Sequence, residues 1–201
     1  MATQRDTTIA GPGGRGARQR ILDAAAELFY HEGINATGVE RLAAEASVSK
    51  RTLYQHFPSK TAVVEEYLRT IGERVGEPVR SDPEAGDARK ILLSLFAAPP
   101  TDARMRGCPF HNAAVEAAED MPEVHAIVHE HKRAYINGLI RLSKAAGAAN
   151  PKMLGNQLGV LFEGAAALST SLDDRTAWTH ARKAAETLID VAIAHGRPEP
   201  G

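Results

Sequence analysis

Lys50, Arg51, Thr52, Tyr54, Gln55 and His56 crowd two cations, two hydroxyls, an amide and an imidazole into seven positions, with Leu53 the one apolar residue among them. This set suits recognition better than bond-making. Lys50 and Arg51 carry charge, Thr52 and Gln55 offer neutral hydrogen bonds, and Tyr54 and His56 are matched to phosphate oxygens. A second group is Cys108 with His125, His129 and His131. His125 and His129 stand four apart and could chelate a metal from one helix face. No carboxylate at matching spacing completes a ligand set, and Cys108 is remote in sequence. His129-Glu130-His131 lacks the spacing of a zinc-protease helix, and there is no nucleophile elbow. The glycines of Gly11-Pro12-Gly13-Gly14-Arg15-Gly16 are followed by no Gly-Lys-Ser/Thr and preceded by no apolar strand, so a phosphate loop is not expected there. Cys108 has no identifiable base partner for catalysis. It is either a small buried hydrophobe or a thiol that meets electrophiles and oxidants. The expectation is a binding protein with no metal and no cofactor, and not an enzyme.

Composition bounds this further. The chain has 201 residues, 43% hydrophobic and 24% charged, enough for one large domain or two small ones with a real core. Its net charge of −1 excludes a protein that coats nucleic acid through bulk charge. Resolved along the chain, residues 1–62 hold eight Lys and Arg against six Asp and Glu, while the remainder is acidic. A local basic surface therefore survives the near-neutral total. The single cysteine cannot form an internal disulfide, and no apolar run approaches the ~20 residues that span a bilayer. No apolar stretch of the signal-peptide kind opens the chain either, so a cytoplasmic protein is expected, with no membrane partner.

The elements that must position the polar set are helical. Residues 1–16 read as a flexible tail, in which Arg15, followed by Arg18 and Arg20, either touches a nucleic-acid backbone or is simply solvated. Ile21, Ala24, Ala25, Leu28 and Phe29 then recur as one apolar stripe, and Gly33 supplies a stop. Thr37 and Glu40 have the spacing of a capping box that opens a second helix with Val39, Leu42, Ala43 and Ala46 inward. Ser47-Val48-Ser49 is a three-residue break, and Ser49 caps a third helix from Lys50 to about Phe57 with Leu53 and Phe57 on its inner face. Ser59 caps a fourth, anchored by Val63, Val64, Tyr67 and Leu68. Two short helices, a tight turn and a polar-faced second helix make the arrangement that enters a DNA major groove. The hydroxyl of Thr37 and the helix starts at Thr37 and Lys60 also favour phosphates. An ordinary three-helix core with a solvated polar face has the same periodicity.

The run from Thr37 to Lys60, ending Leu53-Tyr54-Gln55-His56-Phe57-Pro58-Ser59-Lys60, resembles the signature of TetR-family transcriptional regulators. Ile21 to Phe29 and Glu32-Gly33 are similar to that family's first helix, so the resemblance covers about residues 17–66. It implies an all-helical homodimer that binds a pseudo-palindromic operator and is released by a small effector. By position it makes Thr37, Lys50, Thr52, Tyr54, His56 and Lys60 the DNA-contacting set, to which the chemistry of the third helix adds Ser49, Arg51 and Gln55. Arg51 departs from the small residue usual in the family, and it either adds a contact or points to solvent.

Beyond about Val75 the resemblance fades. Glu77-Pro78 and Ser81-Asp82-Pro83 mark a loop, and Ile91, Leu92, Leu95 and Phe96 give a helix near 88–97. Gly107-Cys108-Pro109-Phe110, similar to a segment in a subset of TetR-like regulators, introduces a short helix to about Glu119. Asp120 and Glu123 read as a capping box around Pro122, opening a long helix to about Ala146. On it Val124, Ile127, Val128, Tyr135, Leu139 and Leu142 share a face with His131 in its middle. His131 and Tyr135 either orient a ligand in a pocket or are hydrogen-bonded core residues. Asn150-Pro151 caps a helix to about Leu172, and Asp174 opens a last one through Ala194.

The expected architecture is all-α: an N-terminal three-helix helix-turn-helix DNA-binding domain over 17–66, and a larger helical effector-binding and dimerisation domain over 67–197. The pocket is expected to use Phe96, Cys108, Phe110, His131, Tyr135, Phe162 and Trp178, with Phe162 and Trp178 alternatively at a dimer interface made by the last two long helices. The expected partners are an operator, a small-molecule effector and a second copy of the chain. The competing reading is a helical ligand carrier, or a thiol- or metal-responsive sensor using Cys108 or His125, His129 and His131.

Overall fold

The computed structural model of the chain describes residues 16–75, 77–80, 85–100, 106–117 and 121–195, with the side chains of 75, 77, 85 and 86 left aside. All its regular elements among these residues are helices. The tail expected over 1–16 lies, up to Arg15, outside the described residues. The chain divides into two compact units, with the boundary between Tyr67 and Leu68.

In the first unit, α1 (Gly16–His31) buries Ile21, Ala24, Ala25, Leu28 and Phe29, the stripe that the periodicity picks out. Its end is set by Gly33, whose φ of 103° lets its N–H reach back to the Leu28 carbonyl at 3.2 Å. Thr37 is not the cap of α2 (Val39–Glu45): the N-cap is Gly38, without a side-chain bond. The Thr37 side chain is fully buried, and its hydroxyl donates to the Gly33 carbonyl at 2.7 Å, tying the chain down before α2 begins. The turn to α3 (Lys50–His56) runs through Ser47 in the left-handed region, φ 50°, with Val48 N–H donating to the Ala43 carbonyl at 2.9 Å. Ser49 caps α3 as expected, its Oγ accepting from Thr52 N–H at 3.0 Å. Leu53 and Phe57 are buried beneath it. Ser59 Oγ likewise accepts from Ala62 N–H at 3.1 Å and opens α4 (Lys60–Val75). Val63, Val64 and Tyr67 close this core, with Phe29 and Tyr67 edge-on at 5.5 Å.

In the second unit, Glu77–Arg80 form a one-turn α5 where a loop is expected, because Pro78 is tolerated in a first helical turn. Next come α6 (Ala85–Ser94) and α7 (Pro109–Glu116), which stops short of Glu119. The long helices are α8 (Pro122–Ala145), α9 (Pro151–Ser171) and α10 (Thr176–Ala194). The N-cap of α8 is Met121, without a side-chain bond, and Asp120 of the expected capping box lies outside the described residues. Asn150 caps α9, accepting from Met153 N–H at 3.0 Å. Asp174 holds the lead-in to α10 by accepting from Thr176 N–H at 2.8 Å. Leu92, Phe96, Leu139, Leu142, Leu154, Leu158 and Ile189 form the core between α6, α8, α9 and α10. Helices α8 and α9 approach closely enough that a Cβ on Gly155 would sit 2.6 Å from Ile140 Cγ1. Across α6 and α10, Arg89 grips Asp190 with two bonds of 2.8 and 2.9 Å.

Candidate functional site

The outer surface of α3 follows from its inner one. With Leu53 fully buried and Phe57 nearly so, the helix can present only its remaining residues, and Lys50, Arg51, Tyr54 and Gln55 are exposed. Tyr54 is a large aromatic side chain left 50% exposed on this face. Thr52 and His56 are half-buried at the edges of this face, and Thr52 Oγ1 lies 2.8 Å from Ser49 Oγ. Lys50 Nζ donates to Glu40 Oε1 of α2 at 2.6 Å, which raises the lysine pKa and lowers that of the carboxyl. Both groups are in solvent, so the pair is easily exchanged for a stronger anion. Lys60 stands at the first position of α4.

Three residues weighed as DNA contacts, Thr37, Arg18 and Arg20, have partners within the fold. Thr37 has its hydroxyl spent on Gly33 inside the fold, so it is withdrawn as a surface donor. Arg18 pairs with Glu66 at 2.6 Å and lies over the Phe57 ring at 5.2 Å, while Arg20 Nε donates to the Ala46 carbonyl at 3.0 Å. These arginines brace α1 against the helix-turn-helix.

In the second unit a cavity of about 420 Å³ opens between the end of α6, at Leu95, and α7, α8 and α9, with Arg74 of α4 and Pro78 of α5 also lining it. Cys108, Phe110, His131, Tyr135 and Phe162 line it, as expected of the pocket. Phe96 and Trp178 do not. Both are buried behind Phe162, edge-on to its ring at 6.2 and 5.2 Å, and Trp178 Nε1 donates to Ser169 Oγ at 3.1 Å. That inward bond also removes Trp178 from any outer interface.

His131 stacks on Phe110 with ring centroids 3.5 Å apart and planes 3° from parallel. Desolvation, helped by Lys132 and Arg80, holds its pKa down to about 4, so it is neutral near pH 7. Tyr135 is pushed well above the usual phenol range by burial, then by Glu163 and Cys108, so it remains a donor. Its Oη is buried with no hydrogen-bond partner among the described residues. Sequence reasoning does not reach Lys132 and Glu163, which form an ion pair in the cavity wall. Lys132 Nζ also lies 3.3 Å from Cys108 Sγ. The place of Lys132 beside His131, one turn before Tyr135, is a signal that could have found it. Nothing in the sequence joins it to Glu163, 31 residues away. His125 and His129 are exposed on α8, and no group of three metal-ligating side chains occurs among the described residues.

The model of the tetR family of bacterial regulatory proteins matches residues 21–67. The HTH-type transcriptional repressor KstR2 of Rhodococcus jostii is 44% identical over 84 residues, 41% of each chain. The HTH-type transcriptional activator FasR of Mycolicibacterium smegmatis is 43% identical over 83 residues, 39% of this chain and 38% of that one. The matches thus span about two fifths of these curated relatives. Over nearly the whole chain, the structure is similar to that of SCO4454, a TetR-family transcriptional regulator from Streptomyces coelicolor. The TM-score is 0.77 at 27% identity, covering 89% of this chain and 96% of that one.

Proposed function

Because this chain is a TetR-family transcriptional regulator with a helix-turn-helix for DNA, we propose that it is a homodimeric repressor released from a pseudo-palindromic operator by a small effector. The observation that carries this is the outer face of α3: a capped helix, pinned by Leu53 and Phe57, that turns Lys50, Arg51, Tyr54 and Gln55 to solvent. Its first turn supplies cations to phosphates and base edges, and Tyr54 adds ring contact and a hydroxyl. Ser49, Thr52, His56 and Lys60 flank that surface and complete the DNA-contacting set. Binding needs two such helices ~34–36 Å apart, which a two-fold dimer provides. Effector in the α6–α9 cavity then favours a state in which the spacing no longer matches the operator. No described helix is long and apolar enough to cross a membrane. We place the protein in the cytoplasm, where its DNA is.

The test is a salt-titrated binding assay on the promoter DNA flanking its own gene. Tyr54→Ala and Lys60→Ala should each weaken binding about tenfold, roughly the worth of one good hydrogen bond to DNA. Lys60→Ala should also flatten the dependence of log K on log salt by about 0.9, because one fewer phosphate is neutralised. A wild type without sequence selectivity at moderate salt, matched by both variants, would discard the proposal. A ligand carrier would use the same cavity and show that outcome.

A further inference from the structure

We propose that the cavity between α6 and α9 takes a small monocarboxylic acid with an apolar body, whose carboxylate accepts from Tyr135 Oη and displaces Glu163 from the Lys132 ammonium. The inference rests on reading this cavity as the effector site and names what that effector is. Leu95, Phe110 and Phe162 give the space apolar walls, and about 420 Å³ holds a ligand of modest size, not a large cofactor. The polar groups converge on one kind of head. Tyr135 brings a buried hydroxyl donor that nothing among the described residues accepts, and such a donor is a standing preference for a ligand oxygen. Lys132 brings an ammonium whose present acceptors are the Glu163 carboxylate and the Cys108 sulfur.

Glu163 is in effect a built-in carboxylate, and it marks the kind of group that Lys132 holds. It is only partly buried, its side chain 35% exposed, so it can turn to water when a ligand takes its place. Charge selects among heads. Arg74 and Lys132 line the cavity against the single acid Glu163, and His131 is neutral, which leaves one positive charge for a monoanion to balance. An ammonium ligand would meet that excess with the wrong sign. A neutral amide could accept from Tyr135 but could not replace Glu163 on Lys132.

Calorimetry on the full chain at about pH 7 would compare octanoate, phenylacetate and cyclohexylacetate with their primary amides and the matching amines. At least one acid is expected to bind about tenfold tighter than its amide, the margin of a charge-assisted bond, and no amine should bind. Tyr135→Phe should loosen that acid about tenfold, and Glu163→Gln should tighten it, since the internal competitor is gone. Amides or amines that match the acids on the wild type would overturn the assignment. So would an acid series with no member binding below about 1 mM, or Glu163→Gln that loosens the acids. DNA binding of the same preparations separates the two readings. Acid binding without operator selectivity removes the regulator reading alone, whereas selective DNA binding without acid binding removes this one alone.

Discussion

His131 shows how one residue can look like a switch and be held out of use. It lies in the middle of an apolar helix face, flat against Phe110, and Gly72 leaves so little room that a Cβ there would be 3.2 Å from its Nδ1. Desolvation comes first among the causes that bring its pKa to about 4, and Lys132 and Arg80 add to it. An unfolded chain would take up that proton near the ordinary value of about 6.5. Between those values the unfolded state binds the proton and the folded state does not, so stability falls as pH falls from about 6.5 to about 4. Allowing for the solvent that still reaches this half-buried ring, the effect is on the order of 1 kcal/mol, or about 2–4 °C in melting temperature. Melting curves at pH values across that window should show the wild type losing that much more than His131→Phe. Parallel curves would mean that the imidazole is solvated in the folded chain. The ring is legible in the sequence as a polar residue in an apolar stripe; its neutrality is set first by burial, with Lys132 and Arg80 adding to it, and neither the burial nor the approach of Arg80 is displayed by spacing along one helix.

At the scale of elements, the contact of α8 with α9 depends on two glycines that in sequence are only small residues on a long helix. A Cβ on Gly155 would meet the backbone of Ile140, 2.8 Å from its N and 2.9 Å from its Cα, and backbone cannot move aside. On Gly159 it would meet only the tip of Ile136, 2.2 Å from Cδ1, and that tip can rotate. Gly155→Ala should therefore cost about 1–3 kcal/mol, as overpacking does. Gly159→Ala should cost less than about 1 kcal/mol, part of its strain offset by the better helix propensity of alanine. Urea unfolding of both variants at one protein concentration checks the order, and equal costs would place the tight approach elsewhere. The helices themselves are readable from their periods and from caps such as Ser49, Ser59 and Asn150. Three capping expectations fare worse. Thr37 has the right residue type for a cap, but tertiary packing buries it one residue early, and the backbone of Gly38 takes the position instead. Met121 caps α8 without a side-chain bond, and Asp174 stands two residues ahead of Thr176, outside the N-cap place.

At the scale of the molecule, α9 carries Met153, Val160 and Leu168, and its C-cap is Leu172, each more than half exposed, with Val160 the extreme at 75%. Val191 of α10 is 51% exposed as well. A run of large apolar side chains in water on the last two long helices is what a four-helix interface between two copies would cover. Val160→Glu should then give a monomer in sedimentation velocity with helix content unchanged. Operator affinity should fall on the order of 10²-fold, because the second recognition helix is no longer tethered. A Val160→Glu chain that sediments like the wild type would move the interface off α9.

The sequence by itself determined the helices of the first unit, the polar face of α3 and the absence of enzyme motifs. Those depend on short-range spacing: a cap three residues from its amide, and an apolar stripe every three or four positions. Tertiary structure alone decided which cations are tied to neighbouring elements, as Arg18 and Arg20 are, and which aromatic rings face the cavity. It also paired Lys132 with Glu163 and left the Tyr135 hydroxyl without an acceptor among the described residues. Those facts depend on residues of different helices meeting in space, and the periodicity of one helix carries no information about the charge that another brings to it.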